Sequence, residues 1–156
     1  MNEPCMKCIV ILNLLLGLFS CPVSLFAQKD SAWLVCPFEH GSGREPKEAY
    51  TWDPPDKKIV MISKVDSIVR SCVSGQVVNV SPAEDNKFEI VVYFNDYYFW
   101  YFGAIKSLVT KGQMVNARQP LGIYTPGTEL EFRMFKHEEV IDPRNLLECK
   151  IPKAEE

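Results

Sequence analysis

The sequence predicts an all-β domain, and three observations carry that expectation. Short runs of β-branched and aromatic residues, broken by turn formers, follow one another along most of the chain. Two of those runs, 88–94 and 97–102, are separated only by Asn95 and Asp96, a pair that tolerates the positive φ of a tight hairpin turn. Beyond the N-terminal apolar run, no stretch keeps a sustained helical period.

Taken in order, residues 37–58 are rich in Gly, Pro and charge, as in His40-Gly41-Ser42-Gly43-Arg44 and Trp52-Asp53-Pro54-Pro55-Asp56, and are expected to be loop. Strands are expected at 59–63, 68–72, 76–80, 88–94, 97–102, 114–115, 121–124 and 130–135. Gly75 and Gly112 stand where a strand must turn tightly, and Val77 and Val115 return apolar side chains to the core. Residues 105–111 fit a short turn or helix. The aromatic hairpin suits core packing better than a flat carbohydrate platform, because strands favour aromatics for packing.

The chain has 156 residues and 47% hydrophobic content, enough for one buried core. Its 17 basic and 20 acidic side chains are interspersed, with a net charge of -3 and no basic stripe, so nucleic acid is not an expected partner. Lys7 and the apolar run 9–19 form a signal peptide in pattern, too short to span a bilayer comfortably. Two endings are open: cleavage after Ala27, or a rough lipobox ending in Cys21, which alone would tie the protein to a membrane. Either places the domain outside the cytoplasm. The expected organisation is a signal peptide at 1–27, an extension and loop at 28–58, a β domain at 59–149 and a polar tail at 150–156. Beyond the signal, Cys36, Cys72 and Cys149 remain; a Cys36–Cys149 disulfide would join the ends of the domain, and three buried thiols are the other option.

Val73-Ser74-Gly75-Gln76-Val77-Val78, Trp100-Tyr101-Phe102-Gly103, Val109-Thr110-Lys111-Gly112-Gln113-Met114-Val115, Gln119-Pro120-Leu121-Gly122, Leu130-Glu131-Phe132-Arg133 and Asp142-Pro143-Arg144-Asn145-Leu146-Leu147 occur in this order. In that order and spacing the chain resembles the lysostaphin/LytM family of peptidoglycan endopeptidases from about residue 59 to 147. The resemblance implies a compact antiparallel β-sandwich or barrel-like fold, the duplicated hybrid motif, behind a long N-terminal loop.

It also implies where chemistry should sit. The family holds zinc with the His and Asp of an H-x-x-x-D motif and the second His of an H-x-H motif, leaving one coordination position for an acidified water. The H-x-x-x-D positions fall at Asp56 or Lys57 and at Val60 or Met61, depending on a one-residue shift. The family's Tyr-x-His matches Tyr101-Phe102-Gly103, and its H-x-H matches Glu129-Leu130-Glu131. The expected groove positions are therefore Gly103, Glu129 and Glu131, with Trp100 and Tyr101 as groove aromatics. None is a catalytic residue, and no metal or other cofactor is expected.

Glu129 and Glu131 lie two apart on one strand and share a face, so the groove is expected to be acidic and to favour amine-bearing ligands; two carboxylates alone make a thin set for a hard cation. His40 and His137 are the only histidines, one in the glycine-rich loop and one at the tip of the last hairpin. Cys72 is expected on a core strand as an inert thiol, and no nucleophile elbow or phosphate-binding loop is present.

The expected function is an exported, catalytically inactive peptidase-like domain that binds a peptidoglycan peptide or an envelope protein. A zinc endopeptidase with a rearranged site and a lipid-anchored structural protein are the alternatives.

Overall fold

A computed structural model describes residues 33–44 and 57–149. The expected signal peptide, Cys21, the polar tail and Asp56 lie outside the described residues. The strands are β1 (Ser42–Arg44), β2 (Ile59–Ile62), β3 (Ile68–Arg70), β4 (Gly75–Pro82), β5 (Phe88–Phe94), β6 (Tyr97–Ala104), β7 (Lys106–Ser107), β8 (Met114–Val115), β9 (Pro120–Ile123), β10 (Leu130–Lys136) and β11 (Glu139–Ile141), with one 3₁₀ turn at Glu84–Asn86.

A large sheet runs β1-β2-β10-β6-β5-β4-β8, with β11 also on β10, and a small sheet runs β3-β9-β7. Every pairing of these strands is antiparallel. Strict alternation fixes which side chains go inward. In β10, Leu130, Phe132 and Met134 are buried and Glu131, Arg133 and Phe135 are not. In β6, Phe99 and Tyr101 are buried while Trp100 and Phe102 stay partly exposed. The aromatic core packs ring on ring, Tyr101 against Phe132 at 5.2 Å. Each such buried side chain contributes about 2–3 kcal/mol of transfer free energy.

The β5–β6 hairpin turns at Asn95 and Asp96, both at positive φ (49° and 68°), as the turn type demands. Gly112 sits in its turn at φ 90°. Gly75 serves a different purpose from the expected turn: it opens β4 where a Cβ would lie 2.4 Å from the Tyr93 carbonyl oxygen.

Two expectations need correction. The region assigned wholly to loop contains β1, which pairs along the edge of β2 with Gly43 opposite Met61. A three-residue edge strand built on glycine carries no periodicity to read. Residues 105–111, expected as a short turn or helix, contain β7, paired with β9 in the small sheet, flanked by bends and a turn.

Residues 33–44 also pack into the domain rather than extending ahead of it. Leu34 and Phe38 belong to the core. Leu34 bridges in parallel to Leu147, and the Glu148 amide donates to the Leu34 carbonyl at 2.9 Å. The Cys36–Cys149 disulfide closes this junction across a sequence separation of 113. Cys72 is the free cysteine among the described residues, fully buried, and burial pushes its thiol pKa up to about 12.

Candidate functional site

The outer face of the large sheet brings the matched positions together. Across it, Glu89 of β5 lies opposite Phe102 of β6, Phe102 opposite Glu131 of β10, Glu131 opposite Val60 of β2, and Val60 opposite Arg44 of β1. A second row holds Val91, Trp100 and Arg133, and a third holds Tyr93, Tyr98 and Phe135. Glu89, Trp100, Phe102, Glu131, Arg133 and Phe135 line a depression of about 390 Å³ on this face.

Gly103 follows Phe102 in β6 and is buried. It is the extra residue of a β-bulge, because Phe102 pairs with Glu89 while Ala104 pairs with Phe88. Its φ is 134°, and a Cβ there would stand 2.7 Å from the Glu129 carbonyl oxygen. Gly103 therefore touches the start of β10 through backbone, with no room for a side chain in this conformation.

The two carboxylates do not make an acidic groove. Glu129 is paired with Arg44. Glu131 receives Lys58 Nζ at 3.1 Å on one oxygen and Arg133 Nη2 at 3.3 Å on the other. The Lys58 side chain is only 8% exposed, so its ammonium is held against Glu131 away from most of the solvent. Arg44 and Lys58 come from segments far away in sequence, which is why a reading of Glu129-Leu130-Glu131 alone overstates the negative charge.

Of the two expected groove aromatics, Trp100 lines the depression and Tyr101 does not. Tyr101 points into the core, 0% exposed, and its hydroxyl accepts from the Cys72 amide at 2.8 Å. Burial, with Cys72 beside it, raises its pKa well above the ordinary tyrosine range. Its role is to satisfy a buried backbone donor, a bond whose loss costs about 1–3 kcal/mol. Sequence reasoning missed Arg133, Phe135, Phe102, Glu89 and Lys58 as parts of this face. For all but Lys58, alternation with the core positions of β5, β6 and β10 was the available signal.

The histidines lie elsewhere. His137 occupies the β10–β11 turn at φ 53°. His40 contacts Asp66, whose carboxylate accepts from the His40 amide at 2.9 Å and lies 3.3 Å from the ring Nδ1. Burial works to raise the Asp66 pKa, but donors from Ser63 and His40 outweigh it and hold the carboxyl below its usual value. Glu39, His40 and Asp66 bring one ligand atom each within 4.8 Å of one another. Arg70 already takes Glu39, at 3.2 Å.

No family model matches the sequence, and no curated protein does. Solved structures do match. Csd3 from Helicobacter pylori aligns with a TM-score of 0.62 at 18% identity over 77% of this chain, which spans 34% of the Csd3 chain. Lysostaphin aligns at 0.52, with 19% identity over 75% of this chain and 56% of its own. A chain of the SpoIIQ-SpoIIIAH pore forming complex aligns at 0.57, with 17% identity over 73% of this chain and 90% of its own.

The chain has the lysostaphin/LytM fold.

Within that fold the strand register distinguishes the two candidate positions, Val60 and Met61. Val60 lies opposite Glu131 and, though itself buried, is outside the core cluster to which Met61 belongs, so Val60 is the candidate that shares a face with Glu131. Zinc needs three protein donors around an open position. Of the three matched ligand positions, Val60 supplies none, Glu131 already holds an ammonium and a guanidinium, and Asp56 lies outside the described residues; Gly103, at the position of the family's further histidine, has no side chain to help. These residues do not fit a LytM-type zinc centre.

Proposed function

We propose that this protein is a non-catalytic, extracytoplasmic LytM-type domain whose outer sheet face binds a peptidoglycan peptide or an envelope protein. The observation that carries the proposal is the Lys58–Glu131 ion pair beside Val60, at the positions where the fold's peptidases carry metal ligands. A lysine ammonium in contact with Glu131 opposes a divalent cation there by charge repulsion. The aromatic-walled depression beside Trp100 gives that face a place for a ligand.

Export is supported by the N-terminal signal pattern and by the Cys36–Cys149 disulfide, which suits an oxidising compartment. Occurrence of the fold in the SpoIIQ-SpoIIIAH complex favours a protein partner as readily as a wall peptide. Neither route requires Cys21 to carry a lipid.

A second reading, an endopeptidase with a rearranged metal site, rests on the Glu39, His40 and Asp66 group. Incubation with cross-linked peptidoglycan separates the two. Co-sedimentation with the wall, with no new free amines released, is the expected result. Chelator-sensitive release of amines that His40→Ala abolishes would establish the second reading instead.

A further inference from the structure

The carboxylates in the depression are not equivalent. Glu131 is held by Lys58 and Arg133. Glu89 is hydrogen-bonded to neutral groups: its Oε1 accepts from Asn79 Nδ2 at 3.0 Å and lies 3.5 Å from Ser81 Oγ. No cation among the described residues pairs with it. Its neighbours are rings, with Trp100 and Phe135 5.5 Å apart between centroids and Phe102 directly across the strand pair. Phe102 already carries a cation on its π system, Lys87 Nζ standing 5.6 Å from the ring centroid.

A half-buried carboxylate with no counter-charge among the described residues, set among aromatic faces, complements one chemical class: a cation on an apolar stem. We propose that the ligand inserts an alkylammonium side chain, of the lysine or diamino-acid type, with its methylenes against Trp100 and Phe102 and its charge on Glu89. The rings favour the stem by burial and the charge by cation–π attraction, and Glu89 adds a charge-assisted hydrogen bond.

The inference rests on the outer face being the binding face, and it goes further by fixing the anchoring group. Its test uses two probes on the purified chain: acetyl-Ala-Lys-Ala-amide and the same peptide with the lysine amine acetylated, each titrated while the Trp100 indole resonance is followed. Expected is binding of the amine form with a shift at Trp100, weaker binding of the acetylated form, and a loss of about tenfold or more in affinity for the amine form alone in Glu89→Gln. The melting curve of Glu89→Gln, matching that of the parent, establishes that the variant is folded. Equal affinity for the two peptides, absence of binding by both, or indifference to Glu89→Gln overturns the proposal. Sedimentation with cross-linked peptidoglycan keeps the two claims apart. Wall binding indifferent to Glu89→Gln leaves the broader function standing and removes the ammonium pocket. The peptide effect without any wall binding does the reverse for a wall ligand and turns the search to a protein partner.

Discussion

Gly103 differs from a metal-site histidine in backbone as well as in side chain. The bulge puts it at φ 134° with the Glu129 carbonyl oxygen where a Cβ would go, so restoring a histidine requires the start of β10 to move. Gly103→His is expected to lose about 2–4 kcal/mol of stability, from positive-φ strain and steric conflict together, in urea denaturation. It is also expected to gain no peptidase activity; retention of full stability would mean that the bulge relaxes freely. The replaced positions themselves were legible, because motif spacing names Gly103, Glu129 and Glu131 without any structure. Their charge state was not. Arg44 and Lys58 reach those glutamates from β1 and the approach to β2, a pairing set by sheet order that no local pattern encodes. Tyr101 was misplaced because its neighbour Trp100 shares its composition signal and differs only in which face alternation gives it.

Among the elements, β5, β6 and β10 were readable from alternation and the Asn95-Asp96 turn, and they form the floor of the candidate site. β1 and β7 were not, being short edge strands whose pairing comes from the partner rather than from their own residues. The segment leading into β1 is fastened to the turn after β2 by Asp66, which accepts from His40 and from Ser63 Oγ at 2.7 Å. Because the folded-state pKa of Asp66 is lowered, its contribution is complete above the unfolded carboxylate value of about 3.9 and is lost as pH falls through the lower folded value. Urea midpoints measured from pH 7 downwards should therefore fall more steeply in this range for the parent than for Asp66→Asn. Identical slopes would show that the contact does not fasten β1.

For the molecule as a whole, the all-β class followed from the sequence and the antiparallel architecture from the family resemblance, but the extent of the domain did not. Leu34 and Phe38 enter the core through a segment whose glycines and charges mark it as loop. Cysteine counting left the disulfide open, because three thiols allow a bridge or none. With Cys36 and Cys149 joined over 113 residues, the bridge ties the N-terminal segment to the C-terminal one. Reduction, or replacement of both cysteines by Ser, is expected to cost about 2–5 kcal/mol, read as a lowered melting temperature. Cys72, buried with its thiol pKa near 12, should resist alkylation in the folded protein and react only on unfolding.

The central claim is that the outer face has exchanged a metal centre for an ion pair. The most direct measurement is the zinc content of the purified protein after loading with excess zinc and dialysis. The account predicts no stoichiometric retention by the parent chain, and none by Lys58→Ala, since Val60 still offers no donor at its ligand position. One zinc per chain that survives dialysis, and is lost when Glu131 is replaced by Gln, would contradict it.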